Sequence, residues 1–165
     1  MNEKQPNTLP PEVIEAIEKR LPNYPQNHKQ SVVLYALHAA QHAQGGYLTK
    51  ELMDGVAHFL GMAPVAVYEV ASFYSMLSTT PVGRHSISVC TNISCMLCGG
   101  EELLKAIEQH LGIRAGQSTP DGRIHLKLEE ECLAACCGAP MMMVDHVYHE
   151  HLTPQQACAI IDGLE

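Results

Sequence analysis

The sequence is poor in basic residues and in long apolar runs. Lysine and arginine together number 10, against 18 aspartates and glutamates, and the formal net charge is −8 with neutral histidines. Nucleic acids require a basic protein face, so this balance argues against a nucleic-acid partner. The longest apolar-leaning stretch, residues 63–77, is interrupted by Glu69, Ser72 and Ser75. We therefore expect no direct insertion into a membrane.

The chain also lacks a recognisable targeting segment and a nucleotide-binding loop. Its first residues, MNEKQPNTLPPE, contain neither the apolar core of a secretory signal nor a twin arginine. The default expectation is a cytoplasmic protein, in which structural disulfides are rare. The odd number of cysteines, seven, also argues against a framework of disulfides. Neither G-x-G-x-x-G after a strand nor G-x-x-x-x-G-K followed by Ser or Thr is present. We expect nucleotides to bind elsewhere.

Apolar residues recur at helical spacing through the first half of the chain, after an arm (residues 1–9) that is expected to be disordered. This periodicity predicts four helices between residues 10 and 78 and no strand. The helix boundaries are marked by residues that stop, cap or begin helices. These residues are Pro22, Gly45, Thr49, Gly61 and Pro64.

The pattern changes after the boundary, which we place near Pro81–Gly83. HSISVC alternates like a strand, EELLKAIEQHLG is an amphipathic helix, and RIHLKLEEE alternates like a second strand. PMMMVD is a short strand, VYHE is a candidate for another, and LTPQQACAIIDGL is a helix capped by Thr153. The segment GQSTPDG is expected to be a loop. The fold class is therefore α+β, with a helical bundle (residues 1–82) and a small α/β domain (residues 83–165).

Six of the seven cysteines are concentrated in two short segments that follow predicted strands. SVCTNISCMLCGG contains Cys90, Cys95 and Cys98, and EECLAACCGAP contains Cys132, Cys136 and Cys137. Ligands of open α/β sheets usually bind at such strand ends. Four thiolates, two from each segment, could hold an iron–sulfur cluster or a zinc ion, but spacing alone does not select the four. The small residues nearby would let backbone amides approach the cluster sulfurs; they are Ser94, Ala134, Ala135, Gly138 and Ala139.

Other interpretations of these cysteines explain less of the pattern. Zinc sites usually pair two C-x2-C motifs, and only Cys95 and Cys98 have that spacing. The same two residues could form a reactive dithiol at a helix start, but that leaves the remaining strand-end cysteines unexplained. Cys158 lies in the last predicted helix and is most simply a buried small apolar side chain.

Two groups of charged or titratable residues lie near these segments, and neither requires a second metal site. His146, His149 and His151 are clustered, but without a cysteine or carboxylate framework a polar hairpin or turn is favoured over a metal tract. Glu129, Glu130 and Glu131 precede Cys132 and either form a solvated edge or lower the potential of a nearby cluster.

The two cysteine segments and their flanks resemble a known family. VCTNISC, CLAAC and the trailing GAPMMMVD are similar to the small [2Fe-2S] subunit, the E subunit, of bacterial NADH:quinone oxidoreductase. The similarity extends to VYEVASFYSML, PVGRHSISVC and HLTPQQ, and covers roughly residues 25–165. It implies an N-terminal helical bundle followed by a thioredoxin-like domain that carries the cluster.

The resemblance also implies a set of ligands and partners. It assigns Cys90 and Cys95 to one iron and Cys132 and Cys136 to the other. Cys98 and Cys137 stand where other members often carry non-thiol residues, so each could be a spare ligand. An FMN- and NADH-binding flavoprotein subunit and a larger iron–sulfur subunit would be the partners. The chain would carry electrons without a catalytic acid or base of its own, peripheral to the inner membrane through the complex. NAD-linked hydrogenases and formate dehydrogenases use similar modules and provide the alternative host.

Overall fold

The computed structural model describes residues 9–128 and 132–165. Contacts within the chain divide it into two compact units, a first that ends at Pro81 and a second that spans Val82–Glu165. The expected N-terminal arm lies, apart from Leu9, outside the described residues. No helix in the described part of the chain has the length and apolarity needed to cross a membrane.

The described part of the first unit contains four α-helices and two short 3-10 turns. The helices are α1 (Pro11–Arg20), α2 (Val33–Ala43), α3 (Lys50–Leu60) and α4 (Pro64–Phe73), and the turns are Leu21–Asn23 and Lys29–Val32. Apolar residues at helical spacing, such as Val13, Ile17, Leu37 and Val56, are at most 1% exposed and form one core. The predicted caps are present: Thr49 Oγ1 accepts the N–H of Leu52 at 3.3 Å, and Gly61 ends α3 with φ 68°.

The fourth helix is shorter than the apolar pattern predicts. The sequence predicts helices as far as residue 78, but α4 ends at Phe73, and Tyr74 takes an extended conformation. The turn that follows, closed by the Leu77 N–H to the Tyr74 carbonyl, buries Leu77 to 7% exposure. Because Leu77 is buried by this turn and not by a longer helix, α4 ends earlier than the pattern predicts. Phe73, at the end of α4, is 80% exposed.

The described part of the second unit forms a five-stranded mixed sheet with three α-helices. Its elements are β1 (His85–Val89), α5 (Ile93–Leu97), α6 (Gly100–Leu111), β2 (Gln117–Ser118), β3 (Ile124–Leu126), β4 (Met142–Val144), β5 (Val147–His149) and α7 (Pro154–Asp162). The strand order is β2-β3-β1-β4-β5. The central strand β1 runs parallel to β3, with His85 opposite Ile124, and antiparallel to β4, with Val89 opposite Met142.

The core of this unit lies between the sheet and the two long helices. Ile87 and Val89 of β1 pack with Leu103 and Ile107 of α6, and Ile161 of α7 joins the same cluster. The predicted capping residue Thr153 accepts the N–H of Gln156 at 3.3 Å and begins α7. The arrangement of helices and strands confirms the predicted α+β class.

Two strands differ from their predictions. Gln117 and Ser118, expected in a loop, form β2 because Ser118 pairs with His125 across a short antiparallel ladder. Two residues are too few to produce a visible alternation. Within the described residues, the strand expected over residues 123–131 covers Ile124–Leu126. The acidic residues Glu129, Glu130 and Glu131 lie outside the described part of the chain.

Candidate metal centre

The first thiol pair is formed where β1 ends and α5 begins. Cys90 follows β1 directly, and its N–H donates to the Met141 carbonyl at 3.2 Å, which extends the pairing of β1 with β4 by one step. Cys95 lies within α5, and its thiol is hydrogen-bonded to that of Cys90. Cys90 is 2% exposed and Cys95 is 1% exposed. This half of the site is shielded from water.

Burial controls the protonation of Cys95. Removal from water raises the pKa of the Cys95 thiol to about 11, and its hydrogen bond with Cys90 acts in the same direction. The backbone N–H of Met141 donates to the Cys95 sulfur and opposes the rise. Metal binding at Cys95 must therefore displace a proton, as it does at thiolate sites in general.

The second thiol pair lies on the loop before β4. The sulfur atoms of Cys132 and Cys136 are 3.5 Å apart. Two thiolates on one tetrahedral metal with bonds of about 2.3 Å are separated by about 3.8 Å, so this spacing fits a chelating pair. Both residues are exposed, in contrast to the first pair. The N–H of Ala134, whose φ is 62°, donates to the Cys132 sulfur at 3.3 Å.

The two loops pack against each other. Cys90, Cys95 and Met141 form a small buried cluster, and Leu133, Ala135 and Ala139 of the second loop pack against it. A Cys132 thiolate is close enough to Cys95 to add to the rise in its pKa. The four residues implied by the resemblance are thus brought together as two pairs. Within residues 9–128 and 132–165, no group of three or more His, Cys, Asp or Glu side chains could hold a single metal ion.

The remaining cysteines have other surroundings. Cys98 is exposed at the C-terminal end of α5, and Cys137 is exposed in the 3-10 turn Cys136–Gly138. Cys158 is half-buried on α7, and burial raises the pKa of its thiol. A reactive Cys95–Cys98 dithiol requires a lowered pKa on an accessible sulfur, and the buried Cys95 thiol has the opposite properties.

Two of the three clustered histidines, His146 and His149, lie on a hairpin, and His151 follows it in a bend. Asp145 and His146, with φ of 46° and 70°, make the turn between β4 and β5, and His149 ends β5. Their positions agree with the interpretation favoured from the sequence.

Of three backbone features of the site, the sequence indicated only the first. The small residues of the second loop were expected to bring amides close to sulfur, and Ala134 does so. The contribution of Met141 had no signal, because its N–H acts while its side chain is simply apolar and buried. Gly100 had none either: a Cβ there would lie 2.7 Å from the Cys90 carbonyl oxygen and 2.8 Å from that of Cys95, so the start of α6 lies directly against the first loop.

The thiol arrangement fits a two-iron cluster. Such a cluster is held by four thiolates, two on each iron, and the chain offers one chelating pair from each loop. Backbone N–H groups donate to Cys95 and to Cys132, so each pair has a hydrogen-bond donor for its sulfur charge.

Comparisons with known proteins agree with this geometry. The sequence profile of the thioredoxin-like [2Fe-2S] ferredoxins matches residues 14–165. The chain is 42% identical over 149 residues to the E 2 subunit of the NADH-quinone oxidoreductase of Rhizobium meliloti (strain 1021), covering 90% of this chain and 86% of the relative. It is 36% identical over 166 residues to the E subunit of the NADH-quinone oxidoreductase of Rickettsia conorii (strain ATCC VR-613 / Malish 7), covering 100% and 99%.

Two further matches are to longer proteins. The mitochondrial NADH dehydrogenase [ubiquinone] flavoprotein 2 of Dictyostelium discoideum is 40% identical over 164 residues, which cover 99% of this chain and 66% of that protein. The crystal structure of an NAD+-reducing [NiFe]-hydrogenase in the air-oxidised state superposes with a TM-score of 0.67 at 21% identity, over 81% of this chain and 22% of the hydrogenase chain. At that identity the likeness concerns the fold alone. The sequence matches confirm the resemblance and place the chain in the family of thioredoxin-like [2Fe-2S] ferredoxins, to which it belongs.

Proposed function

We propose that the chain is the small electron-transfer subunit of an NADH:quinone oxidoreductase, with a [2Fe-2S] cluster held by Cys90, Cys95, Cys132 and Cys136. The observation that carries this proposal is the gathering of these four thiols as two pairs, one hydrogen-bonded and buried, the other with sulfurs 3.5 Å apart. The subunit names of relatives that are 36% and 42% identical support the choice of complex.

Burial and backbone hydrogen bonds control the surroundings of the four proposed ligands. The burial of Cys90 and Cys95 excludes water from one half. The N–H groups of Met141 and Ala134 donate to the sulfurs of Cys95 and Cys132. Donors of this kind stabilise the added negative charge of a reduced centre and so raise its potential.

When bound, a [2Fe-2S] cluster accepts and releases one electron at a time without making or breaking bonds to substrate. No side chain of this chain is needed as a general acid or base. The flavin chemistry belongs to a partner subunit that binds FMN and NADH, and a larger iron–sulfur subunit continues the electron path. The chain's association with the inner membrane is peripheral and occurs through these partners.

The exposed apolar residues beside the site provide a docking face for the flavoprotein subunit. Ile93 and Leu97, on either side of Cys95 in α5, are 68% and 78% exposed. Electron transfer without bond formation requires close approach of the partner, and an apolar rim beside the ligand loop permits it.

A diaphorase module of a hydrogenase is the second candidate host. A chain of the same fold occurs in the NAD+-reducing [NiFe]-hydrogenase, which superposes with a TM-score of 0.67 at 21% identity. The subunits that co-purify with the chain separate the two candidates: quinone-reducing membrane subunits support the first, and a hydrogenase catalytic subunit supports the second.

The direct test is metal analysis of the full chain purified without oxygen. We expect two irons and two acid-labile sulfides per chain, with an EPR signal from one unpaired electron after reduction. One zinc, no sulfide and no signal would overturn the proposal and leave a structural zinc module.

Single substitutions then test the ligand set. Cys90→Ser and Cys132→Ser should each abolish or severely reduce iron and sulfide content, because each removes one of two ligands on an iron. Cys158→Ser, on α7, is the matched control and should retain full content. A fully occupied cluster in the Cys132→Ser chain would show that a spare thiol is the true ligand; Cys98→Ser and Cys137→Ser variants would identify it.

A further inference from the structure

The exposed thiol pair has a chemistry of its own in a chain that holds no metal. The sulfurs of Cys132 and Cys136 are 3.5 Å apart, and an approach of about 1.5 Å would bring them to the length of a disulfide bond. Both residues are exposed, so a small oxidant can reach them. Cys90 and Cys95, at 2% and 1% exposure, are out of its reach.

The loop between the two exposed thiols fixes their relative position. The N–H of Ala134 donates to the Cys132 sulfur at 3.3 Å, and the same sulfur lies 3.5 Å from that of Cys136. On the far side of the loop, the Tyr148 hydroxyl donates to the Leu133 carbonyl at 2.7 Å. The pair is therefore held together by contacts that do not require a metal.

We propose that, in the metal-free chain, Cys132 and Cys136 form a reversible disulfide by exchange with a low-molecular-weight disulfide such as oxidised glutathione. The sulfur of one cysteine attacks the small disulfide, forms a mixed disulfide and releases one glutathione. The sulfur of the other cysteine then attacks the mixed disulfide and releases the second glutathione. Two protein thiols are oxidised by two electrons, one glutathione disulfide is reduced, and the two protons pass to the released thiolates.

The disulfide closes half of the metal site until a reductant opens it. Metal binding needs deprotonated, unbonded sulfurs, so the oxidised chain cannot use Cys132 or Cys136 as ligands. The same bond protects these exposed sulfurs from irreversible oxidation. This consequence rests on the proposed function, whereas the disulfide itself depends only on the thiol geometry.

The test uses the full chain, freed of iron with a chelator and reductant and then incubated with oxidised glutathione. Free thiols are alkylated and the digest is analysed by mass spectrometry. We expect the peptide with Cys132 and Cys136 to lose about 2 Da, the mass of two hydrogens, and to escape alkylation at both residues. Separate glutathione adducts on Cys132 and Cys136, or a disulfide that links either of them to Cys98 or Cys137, would overturn the proposal.

Variants assign the bond to its two sulfurs. The Cys137→Ser chain should still form it, because Cys137 takes no part. The Cys136→Ser chain should instead carry a glutathione adduct on Cys132, the trapped mixed disulfide. Formation of an equivalent disulfide in Cys136→Ser, or its loss in Cys137→Ser, would contradict the assignment.

A denatured control separates the effect of the fold from closeness in sequence. In guanidinium, Cys95 becomes accessible, and the closely spaced Cys95 and Cys98 should also pair. The folded chain, verified by circular dichroism, should show the Cys132–Cys136 bond alone. If the same disulfides form in guanidinium and in buffer, the folded geometry does not select the Cys132–Cys136 bond. A metal-free chain that is unfolded in buffer would refute the proposal in the same way.

Iron uptake provides a readout that tests the ligand set independently. Reconstitution with iron and sulfide should fail in the oxidised chain and recover after addition of dithiothreitol. The disulfide could also form and leave iron uptake unaffected. That result would show that the ligand assignment under the proposed function is wrong and that the disulfide does not block metal binding. The proposal that the disulfide forms would still stand.

Discussion

Ala134 is a non-glycine residue in the left-handed backbone region at the centre of the second ligand loop. Its φ of 62° crowds the Cβ against the backbone, and this conformation typically costs about 1 kcal/mol for residues other than glycine. We expect Ala134→Gly to raise the free energy of unfolding by up to about 1 kcal/mol, because glycine adopts this conformation freely. Urea unfolding of the full chain measures the change.

The neighbouring residue provides a matched control for Ala134. Ala135 has a φ of −118°, so Ala135→Gly relieves no strain and should lower the stability through the greater freedom of the unfolded chain. Equal losses in the two variants would show that Ala134 is not strained.

His85 makes the stability of the second unit depend on pH. Its hydrogen bond to Asp145, 2.6 Å from Nδ1 to Oδ2, raises its pKa above 6.5, and the Glu165 carbonyl at 2.8 Å from Nε2 adds to the rise. A raised pKa in the folded state stabilises the fold fully below pH 6.5 and loses this contribution as the pH rises through the folded-state value.

The measurement compares wild type with His85→Asn from pH 5.5 to 9. The stability difference between them should decrease with rising pH above about 6.5, the unperturbed histidine value. For His125→Asn, the stability difference from wild type should change with pH in the opposite direction. Burial lowers the pKa of His125, so the contribution of this histidine to stability is lost as the pH falls. A difference that is constant with pH would rule out the role of His85.

At the scale of single elements, the last helix depends on one arginine. Arg123, just before β3, donates from one guanidinium nitrogen to the carbonyls of Ile161 at 3.1 Å and Leu164 at 2.9 Å. These carbonyls lie at the end of α7, where helix carbonyls lack partners and a positive charge is favourable. We expect Arg123→Met to destabilise the chain by about 1–3 kcal/mol. Arg114→Met, whose side chain is 79% exposed, should change stability by less than about 0.5 kcal/mol in the same assay.

Helix α5 carries the prediction about docking. Leu97→Asp places a charge on its exposed apolar face and should weaken binding to the flavoprotein subunit, while iron content stays unchanged. Co-purification and the rate of electron transfer from NADH in the assembled complex measure the effect. Gln109→Asp puts the same charge on an exposed position of α6 and should leave both unaffected.

The capped starts of helices were the most predictable features because their signals are local, whereas the end of α4 at Phe73 was not predicted. Thr49 and Thr153 cap helices in the structure as the sequence predicts, since a cap requires only a side-chain oxygen next to the free N–H groups of the first turn. The strand β2 was not predictable, because two residues that pair with β3 are too few to show an alternation in the sequence. The pairing of the site thiols was left open by spacing and was implied by family resemblance, and the roles of Met141 and Gly100 depend on backbone approach that side-chain type does not encode.

At the scale of the whole molecule, the apolar residues are distributed over separate cores. Among the described residues, one cluster runs from Leu9 to Leu77, and the others lie within residues 87–161. All four proposed ligands belong to the unit Val82–Glu165. We therefore propose that this unit is an independent domain.

The proposal predicts that a chain consisting of residues 82–165 folds alone and binds a cluster. Iron and sulfide content and the EPR spectrum after reduction should match those of the full chain, because the ligands and their hydrogen-bond donors are all present. A shorter chain that is folded by circular dichroism but binds no iron would show that the helical bundle is required for cluster binding.

The division of the ligands between two loops has a consequence for folding. Cys95 and Cys132 are far apart in the chain, with α6, β2 and β3 between them. A bound group that joins their loops acts as a cross-link and removes the entropy of a long open loop from the unfolded chain. Metal binding would then stabilise the intervening helix and strands. When the cluster is lost, these elements should be the first to unfold locally.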